Sequence, residues 1–267
     1  MSTPLDFEAT WLALREPADA RSRNPLLEAR LRAALDARSR TCAAVDLGSG
    51  TGANLRYLAP RLRGLRWTAV DRSAAHLAAA RLPPGLSVET RVLDLATELE
   101  AALTPSPKLA AASAFLDLVS AAWVARLVAA TERSWVFIVL TVDGRITLSP
   151  DLPGDEAILS ALARDMRTEK LAGEALGGEA AATLVAKARA AGRRAWIAPS
   201  DWHLGPADEA LQRELLGGYA RVARRWLPAG RVEAWYAARR AALEAGTSRI
   251  RVGHQDVLVA PRSKASS

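Results

Sequence analysis

Cysteine is nearly absent from this chain, and histidine is sparse. A single cysteine, Cys42, excludes a disulfide framework. With only His76, His203 and His254 beside it, none of the usual zinc-ligand spacings can be written, so no metal is expected. No apolar run suits a membrane span either. The longest, Leu109 to Ala130, contains Asp117 and Arg126 and reads as a strand followed by an amphipathic helix. Near the N-terminus, Asp6, Glu8, Arg15 and Glu16 stand where a secretion signal needs apolar residues. The expectation is a cytosolic protein without membrane contact. Lysine is also scarce: of 36 basic residues only Lys108, Lys170, Lys187 and Lys264 are lysines. The net charge of +7 is carried by scattered arginines, with no basic run interleaved with aromatics. A nucleic-acid partner is thereby disfavoured, though not removed.

What is present is the composition of a folded domain: 267 residues, 50% hydrophobic and 24% charged, enough for one large unit with a sizeable core. Residues 1–40 carry apolar positions at helical spacing (Trp11, Leu12, Leu14, then Leu26, Leu27, Leu31, Leu35), interrupted by Pro17 and Pro25, and read as a helical cap. Residues 41–260 then alternate strands with helices. The strands are expected at Cys42–Leu47, Trp67–Val70, Leu86–Leu93, Leu109–Ser113, Trp135–Val142, Arg194–Ala198 and Ile250–Val259. Such alternation implies right-handed crossovers, hence an α/β, doubly wound, mostly parallel sheet between helix layers. Asp143-Gly144 between apolar runs is a hairpin signal at the end of the fifth strand. Residues 151–192 form an insertion too long for one helix, split by Gly173, Gly177 and Gly178 around a flexible joint. Residues 261–267 read as a disordered tail.

The most informative stretch is Val45-Asp46-Leu47-Gly48-Ser49-Gly50-Thr51-Gly52-Ala53-Asn54-Leu55, a strand entering a glycine-rich turn that opens a helix. Glycines suit a tight turn that a ligand approaches closely. Gly48-x-Gly50-x-x-Ala53 also satisfies the dinucleotide fingerprint, so spacing leaves two ligands open. Charge separates them in part. A dinucleotide brings a pyrophosphate to this loop, whereas Asp46 places a carboxylate there, which suits a phosphate-free ligand bearing an ammonium and a sulfonium; Asp46 could instead satisfy N–H groups of the turn. Asp71 ends the second strand where an acid can accept from ribose hydroxyls, or cap the next helix. Asp94 ends the third strand, or caps the helix starting near Thr97. Three acids thus end three successive strands on the edge where open α/β sheets bind ligands.

Together these segments resemble the class I S-adenosylmethionine (SAM)-dependent methyltransferases, whose first motif, a strand ending in Asp-x-Gly-x-Gly-x-Gly, is matched by Asp46, Gly48, Gly50 and Gly52. Ala112 to Leu118 and Trp11 to Pro17 further resemble a bacterial branch of that family. The resemblance implies a Rossmann-like, seven-stranded sheet with an antiparallel last strand and SAM as cofactor. It implies Asp71 on the ribose, Asp94 and Leu95 at the adenine and Ser113 beside the methionine moiety, with Ser49, Thr51, Asn54 and Arg72 as further cofactor contacts. Relatives of this kind carry a glycine-rich segment near Arg167-Thr168-Glu169-Lys170, where this chain continues with Leu171 and Ala172.

Methyl transfer needs a base only if the acceptor must lose a proton. Candidates are His203, whose ordinary pKa is near neutrality, and Asp143, alternatively a hairpin residue. Asp117 reads more simply as a helix cap, His76 sits in a helix behind Asp71, and His254 precedes Asp256 in the last strand. Trp11 and Trp202 could wall an acceptor pocket or serve only in packing. Arg167 and Lys170, in a segment 165–178 that could gate the pocket, could hold an anionic or carbonyl-bearing acceptor. No Asn-Pro-Pro-Tyr-like motif follows the fourth strand, which lowers amino-group methylation of bases or glutamine side chains. The expected partner is a small-molecule acceptor of a SAM-dependent methyltransferase. The alternatives are an RNA methyltransferase, an NAD-linked oxidoreductase and a catalytically silent partner subunit; oligomeric state is not legible.

Overall fold

A computed structural model describes residues 9–36, 42–168 and 173–263. The chain opens with α1 (Ala9–Ser22) and α2 (Pro25–Asp36), followed by β1 (Cys42–Leu47), α3 (Ala53–Leu58), β2 (Leu65–Asp71), α4 (Ala74–Ala78), β3 (Val88–Val92), α5 (Leu99–Ala102) and β4 (Leu109–Ser113). After α6 (Ala121–Ala130) and β5 (Trp135–Ser149) come α7 (Asp155–Met166), α8 (Ala180–Ala190), β6 (Ala195–Pro199) and β7 (Trp202–Leu204). The described chain closes with α9 (Glu209–Ala223), α10 (Ala229–Glu244) and β8 (Arg249–Val259).

These strands form one eight-stranded sheet in the order β3-β2-β1-β4-β5-β8-β6, with β7 also on β8. β1 to β5 pair in parallel, and β8 runs antiparallel to β5, β6 and β7. The alternation of strands and helices therefore gives the doubly wound sheet it implied, with one strand more than the seven expected. The extra strand is β7. Its three residues alternate buried, exposed, buried, and they pair with the start of β8.

Two local expectations are corrected. Asp143-Gly144 makes no hairpin: β5 runs straight through it to Ser149, because β8 is in place to pair along its whole length. The turn-prone pair instead forms a bulge, where the register shifts between Val142↔His254 and Ile146↔Val252 and Gly144 adopts φ +85°. Pro17 does not interrupt α1, which continues through it. α1 is held from outside by Arg56, which donates to Glu16 at 2.5 and 2.7 Å, and by Trp202, whose Nε1 donates to Asp19. Pro25 does begin a helix: Asn24 Oδ1 accepts from the backbone N–H groups of Leu26 and Leu27 and caps α2.

Packing separates the molecule into two bodies of apolar contact. One core lies on either face of the central strands, with Leu47, Ala112, Val136 and Val257 on the α6/α8 side and Leu31, Leu55, Leu58 and Phe137 on the α2/α3 side. The other is an annex, in which α7, α9, α10 and part of α1 enclose Leu148, Trp202, Leu204, Trp235, Ile250 and Val252 from the protruding ends of β5 and β8 and from β7. Glycines 173, 177 and 178 lie between α7 and α8; Gly178 packs so closely on the Asp143 carbonyl that a Cβ would come within 2.6 Å of its oxygen. Arg262, expected in a disordered tail, pairs with Glu132. Among the described residues no helix is long and apolar enough to cross a membrane, and no cluster of His, Cys, Asp and Glu could hold a metal.

Candidate functional site

Between β1 and β4 the chain winds away in opposite directions, which opens a crevice at the carboxyl ends of these strands. The crevice is a cleft lined by the glycine turn (Gly48 to Thr51, Ala53, Asn54), by Asp71 and Arg72 after β2, by Leu93 to Leu95 after β3, and by Ser113 to Phe115 and Leu118 after β4. α1 covers it with Leu12, Arg15 and Asp19. Ten of the expected cofactor residues therefore meet in one place. Asp46 and Gly52 stand just behind, in the strand and the turn that shape the loop.

Local chemistry sets the loop. Gly48, Gly50 and Gly52 adopt φ of +65°, +52° and +82°, a region costly for residues with a Cβ. At Gly48 a Cβ would also sit 2.7 Å from the Phe115 ring, and at Gly50 it would meet Leu12 of α1 at 3.4 Å. Several loop amides are already engaged: Ser49 N donates to Val70 O, Gly50 N to Asp71 Oδ2 at 2.8 Å, and Gly52 N to Ser49 O. Asp71 also accepts from Ser73 N at 2.9 Å, so each of its oxygens holds one backbone N–H and has capacity for a further hydrogen bond, and the residue lines the cleft. The cap of α4 is Ser73, not Asp71. Asp94 accepts from Ala96 N while its own N–H donates to Glu98, which ties it into the start of the following helical turn.

Beneath the loop lies a buried polar chain. Asn54 donates to Asp46 Oδ1, Arg23 of α1–α2 donates to Asn54 Oδ1 at 2.7 Å, and Asp256 of β8 accepts from Asn24 N and Leu140 N. Burial pushes the Asp46 carboxyl up to about 6, against the Asn54 hydrogen bond and the Arg23 charge. Ser49 Oγ lies near enough to ease that charge, yet it makes no well-formed hydrogen bond among the described residues. Asp46 Oδ2 and Arg23 Nε are likewise unmatched.

The expected catalytic and acceptor residues are placed differently. His203 points outward from β7 into a separate hollow with Thr147, Ser149 and Arg251, because Trp202 and Leu204 take the inward positions. Asp143 is held by Arg145 on the β5 bulge, outside the cleft lining. Trp202 is buried behind α1, with its Nε1 on Asp19 and its ring 5.0 Å from that of His254. Trp11 packs on the annex core, and Arg167 is exposed at the end of α7. Lys170 lies outside the described residues.

Two residues without a role in the sequence reading face the cleft from α1. Arg15 donates from Nε and Nη2 to Asp19, at 2.9 and 3.2 Å, and stacks on Trp202 at 5.0 Å, leaving Nη1 without a partner among the described residues. The i,i+4 spacing of Arg15 and Asp19 was readable as a helical ion pair; which side of α1 meets the loop was not.

No family model and no curated protein matches the chain. Solved structures do. A protein described as a methyltransferase from an antibiotic biosynthesis pathway of Anabaena variabilis superposes with a TM-score of 0.53 at 15% identity, over 90% of this chain and 98% of that one. A SAM-dependent methyltransferase from Geobacter sulfurreducens, in complex with S-adenosyl-L-homocysteine, gives 0.50 at 18% identity, over 97% and 100%. At these identities the likeness establishes the fold, which is the Rossmann-like fold of the SAM-dependent methyltransferases.

Proposed function

We propose that this chain, folded as the SAM-dependent methyltransferases are, binds SAM in the cleft between β1 and β4 and transfers its methyl group to a small-molecule acceptor. The observation that carries this reading is the state of the glycine loop. A diphosphate needs free backbone N–H groups at such a turn, and those of Ser49, Gly50 and Gly52 are taken by acceptors within the protein. The carboxylate of Asp46 beneath them further opposes a dianion. A nucleoside bearing an amino-acid tail asks less of the loop. Asp71 would accept from its ribose hydroxyls, Asp94 and Leu95 would border the adenine, and Ser49 Oγ and Arg15 Nη1, both unmatched, would meet the amino-acid end together with Asp19.

Bound SAM supplies an activated methyl group, so the protein's part is to orient acceptor and sulfonium; well-oriented reactants account for roughly 7–11 kcal/mol of a barrier. α1 lines the cleft with Leu12, Arg15 and Asp19, which supports a small acceptor over a polymer. The test is to incubate the protein and radiolabelled SAM with cell extract and to separate RNA, protein and small molecules. Label in the small-molecule fraction is expected. Label confined to RNA or protein would overturn the acceptor class, and no label together with no binding of S-adenosylhomocysteine would overturn the whole reading.

A further inference from the structure

We infer that the methyl acceptor is an uncharged, largely apolar small molecule, held against Phe115 and Leu118 of the turn after β4 and Leu12 of α1. The inference rests on the methyltransferase reading of the cleft and deepens it.

Strand order divides the cleft into two halves. On one side of the glycine loop stand the ends of β2 and β3, and on the other stands the end of β4. Asp71, Arg72, His76 and Asp94 all line the β2 and β3 side, where the proposed reading puts ribose and adenine. The β4 side contributes Ser113, Ala114, Phe115 and Leu118, and none of these carries a charge. Ser113, assigned to the methionine moiety, marks the join. The apolar half therefore begins where the transferable methyl group would lie.

Local structure fixes this half. Ala114 turns the chain out of β4 with φ +51°, and a single three-ten turn, Leu116–Leu118, follows. Leu116 is sunk wholly into the core, while Phe115 and Leu118, on either side, line the cleft. The Phe115 ring is pinned between two neighbours. A Cβ on Gly48 would come within 2.7 Å of it, and Trp123 packs on it with ring centroids 5.5 Å apart and planes inclined by 59°. Trp123 is anchored in turn, its Nε1 donating to Leu95 O at 2.7 Å. A preformed wall of this kind suits a ligand recognised by apolar shape. Asp117, the charged residue of the same turn, is no part of the lining, and it caps no helix, since Ser120 caps α6.

From α1 comes Leu12, half-buried and 3.4 Å from where a Cβ on Gly50 would stand. α1 also brings Arg15 and Asp19, which close on each other at 2.9 Å and are neutral as a pair. The remaining Nη1 of Arg15 is assigned to the amino-acid end of SAM. A charged acceptor would thus enter this half without a counter-ion, and burying a charge unpaired is costly. An apolar acceptor gains by leaving water. The residues that the sequence offered to an anionic acceptor are not in the lining: Arg167 is exposed at the end of α7, and Lys170 lies outside the described residues. Trp11 and Trp202, the expected aromatic walls, pack in the annex instead.

The experiment incubates wild type, Leu118→Asn, Leu118→Met and Leu12→Asn with labelled SAM and the small-molecule fraction of cell extract. Labelled product is partitioned between octanol and buffer at pH 7 and passed over anion and cation exchangers, and affinity for S-adenosylhomocysteine is measured by calorimetry. Wild-type label should enter octanol and be retained by neither exchanger. Leu118→Asn and Leu12→Asn, on separate elements, should each lose roughly 10–100-fold in rate at limiting extract, the worth of one buried leucine, with affinity for S-adenosylhomocysteine held within about threefold. That rate should recover as the extract is concentrated, and Leu118→Met should keep it throughout. Label held in buffer or on an exchanger, or absent from the fraction although S-adenosylhomocysteine binds, overturns the inference alone. So do Asn variants that bind S-adenosylhomocysteine and keep the wild-type rate. A wild type that neither binds S-adenosylhomocysteine nor transfers label overturns the methyltransferase reading, and this inference with it.

Discussion

Beneath the glycine loop, Asp46, Asn54 and Arg23 form a buried polar chain with loose ends; in the annex, Asp155 and Arg239 form one with none. Asp155 Oδ1 accepts from Trp235 Nε1 at 2.7 Å and Arg239 Nε at 2.9 Å, its Oδ2 accepts from Leu152 N and Arg239 Nη2, and Arg239 Nη1 donates to Pro150 O. Under the loop, by contrast, Asp46 Oδ2, Arg23 Nε and Ser49 Oγ are unmatched among the described residues. A satisfied network rigidifies a core, whereas a partly satisfied one costs stability unless something else completes it. The annex network therefore belongs to the fold. The loop network, on the proposed reading, would be completed by the ligand and would trade apoprotein stability for it.

The largest expected effect breaks the satisfied network. Asp155→Ala leaves the Arg239 guanidinium, 1% exposed, without its carboxylate, a loss of roughly 3–5 kcal/mol. At about 2–4 °C per kcal/mol for a chain of this size, the melting temperature should fall by roughly 6–20 °C. A fall of under two degrees would mean that the annex network carries little.

Asp46→Asn probes the unsatisfied network and should act in the opposite direction. The folded Asp46 carboxyl titrates near 6, above its ordinary 3.8, so its contribution is fully present below about pH 4 and is lost as pH rises through 6. Two pKa units correspond to roughly 3 kcal/mol. At pH 7 the Asn variant should thus be the more stable of the two, and its advantage should shrink by about that amount on going to pH 4. His254, whose pKa burial lowers to about 4 with Arg15 assisting, adds a slope of the opposite sign: its contribution is present above 6.5 and lost as pH falls through 4. The difference between wild-type and variant unfolding curves cancels that term, and a flat difference from pH 4 to 7 would refute the Asp46 account.

The smallest effect sharpens the comparison at the cleft itself. Asp71→Ala should weaken S-adenosylhomocysteine binding by about 1.5–3 kcal/mol, since it removes a charged acceptor. The melting temperature of the ligand-free protein should barely move, the released amides of Gly50 and Ser73 lying where water reaches them. Unchanged affinity with a lowered melting temperature would assign Asp71 to loop support alone.

The same contrast explains what could be read in the sequence. β1 and β4 were legible to the residue, because buried parallel strands bounded by glycine, serine or proline announce themselves locally. The glycine loop was legible because its backbone excludes a Cβ at Gly48. The annex was not. α9 and α10 are amphipathic stretches rich in arginine and glutamate without a motif, and the core they complete is assembled from the ends of β5 and β8, far away in sequence. β7 is three residues long, and only its Trp202-His203-Leu204 alternation hinted that His203 would face away from the inward pair. Asp143-Gly144 carried a true turn signal that long-range pairing with β8 converted into a bulge. Arg15 and Asp19 were visible as a pair, but their position over the loop depends on how α1 docks on Arg56 and Trp202.

The central claim is that the cleft takes a phosphate-free adenosine ligand, and isothermal calorimetry of the purified protein with S-adenosylhomocysteine and with NAD, under one buffer, tests it most directly. Saturable binding of S-adenosylhomocysteine with no detectable heat from NAD is the predicted result. NAD binding in the absence of S-adenosylhomocysteine binding would contradict it.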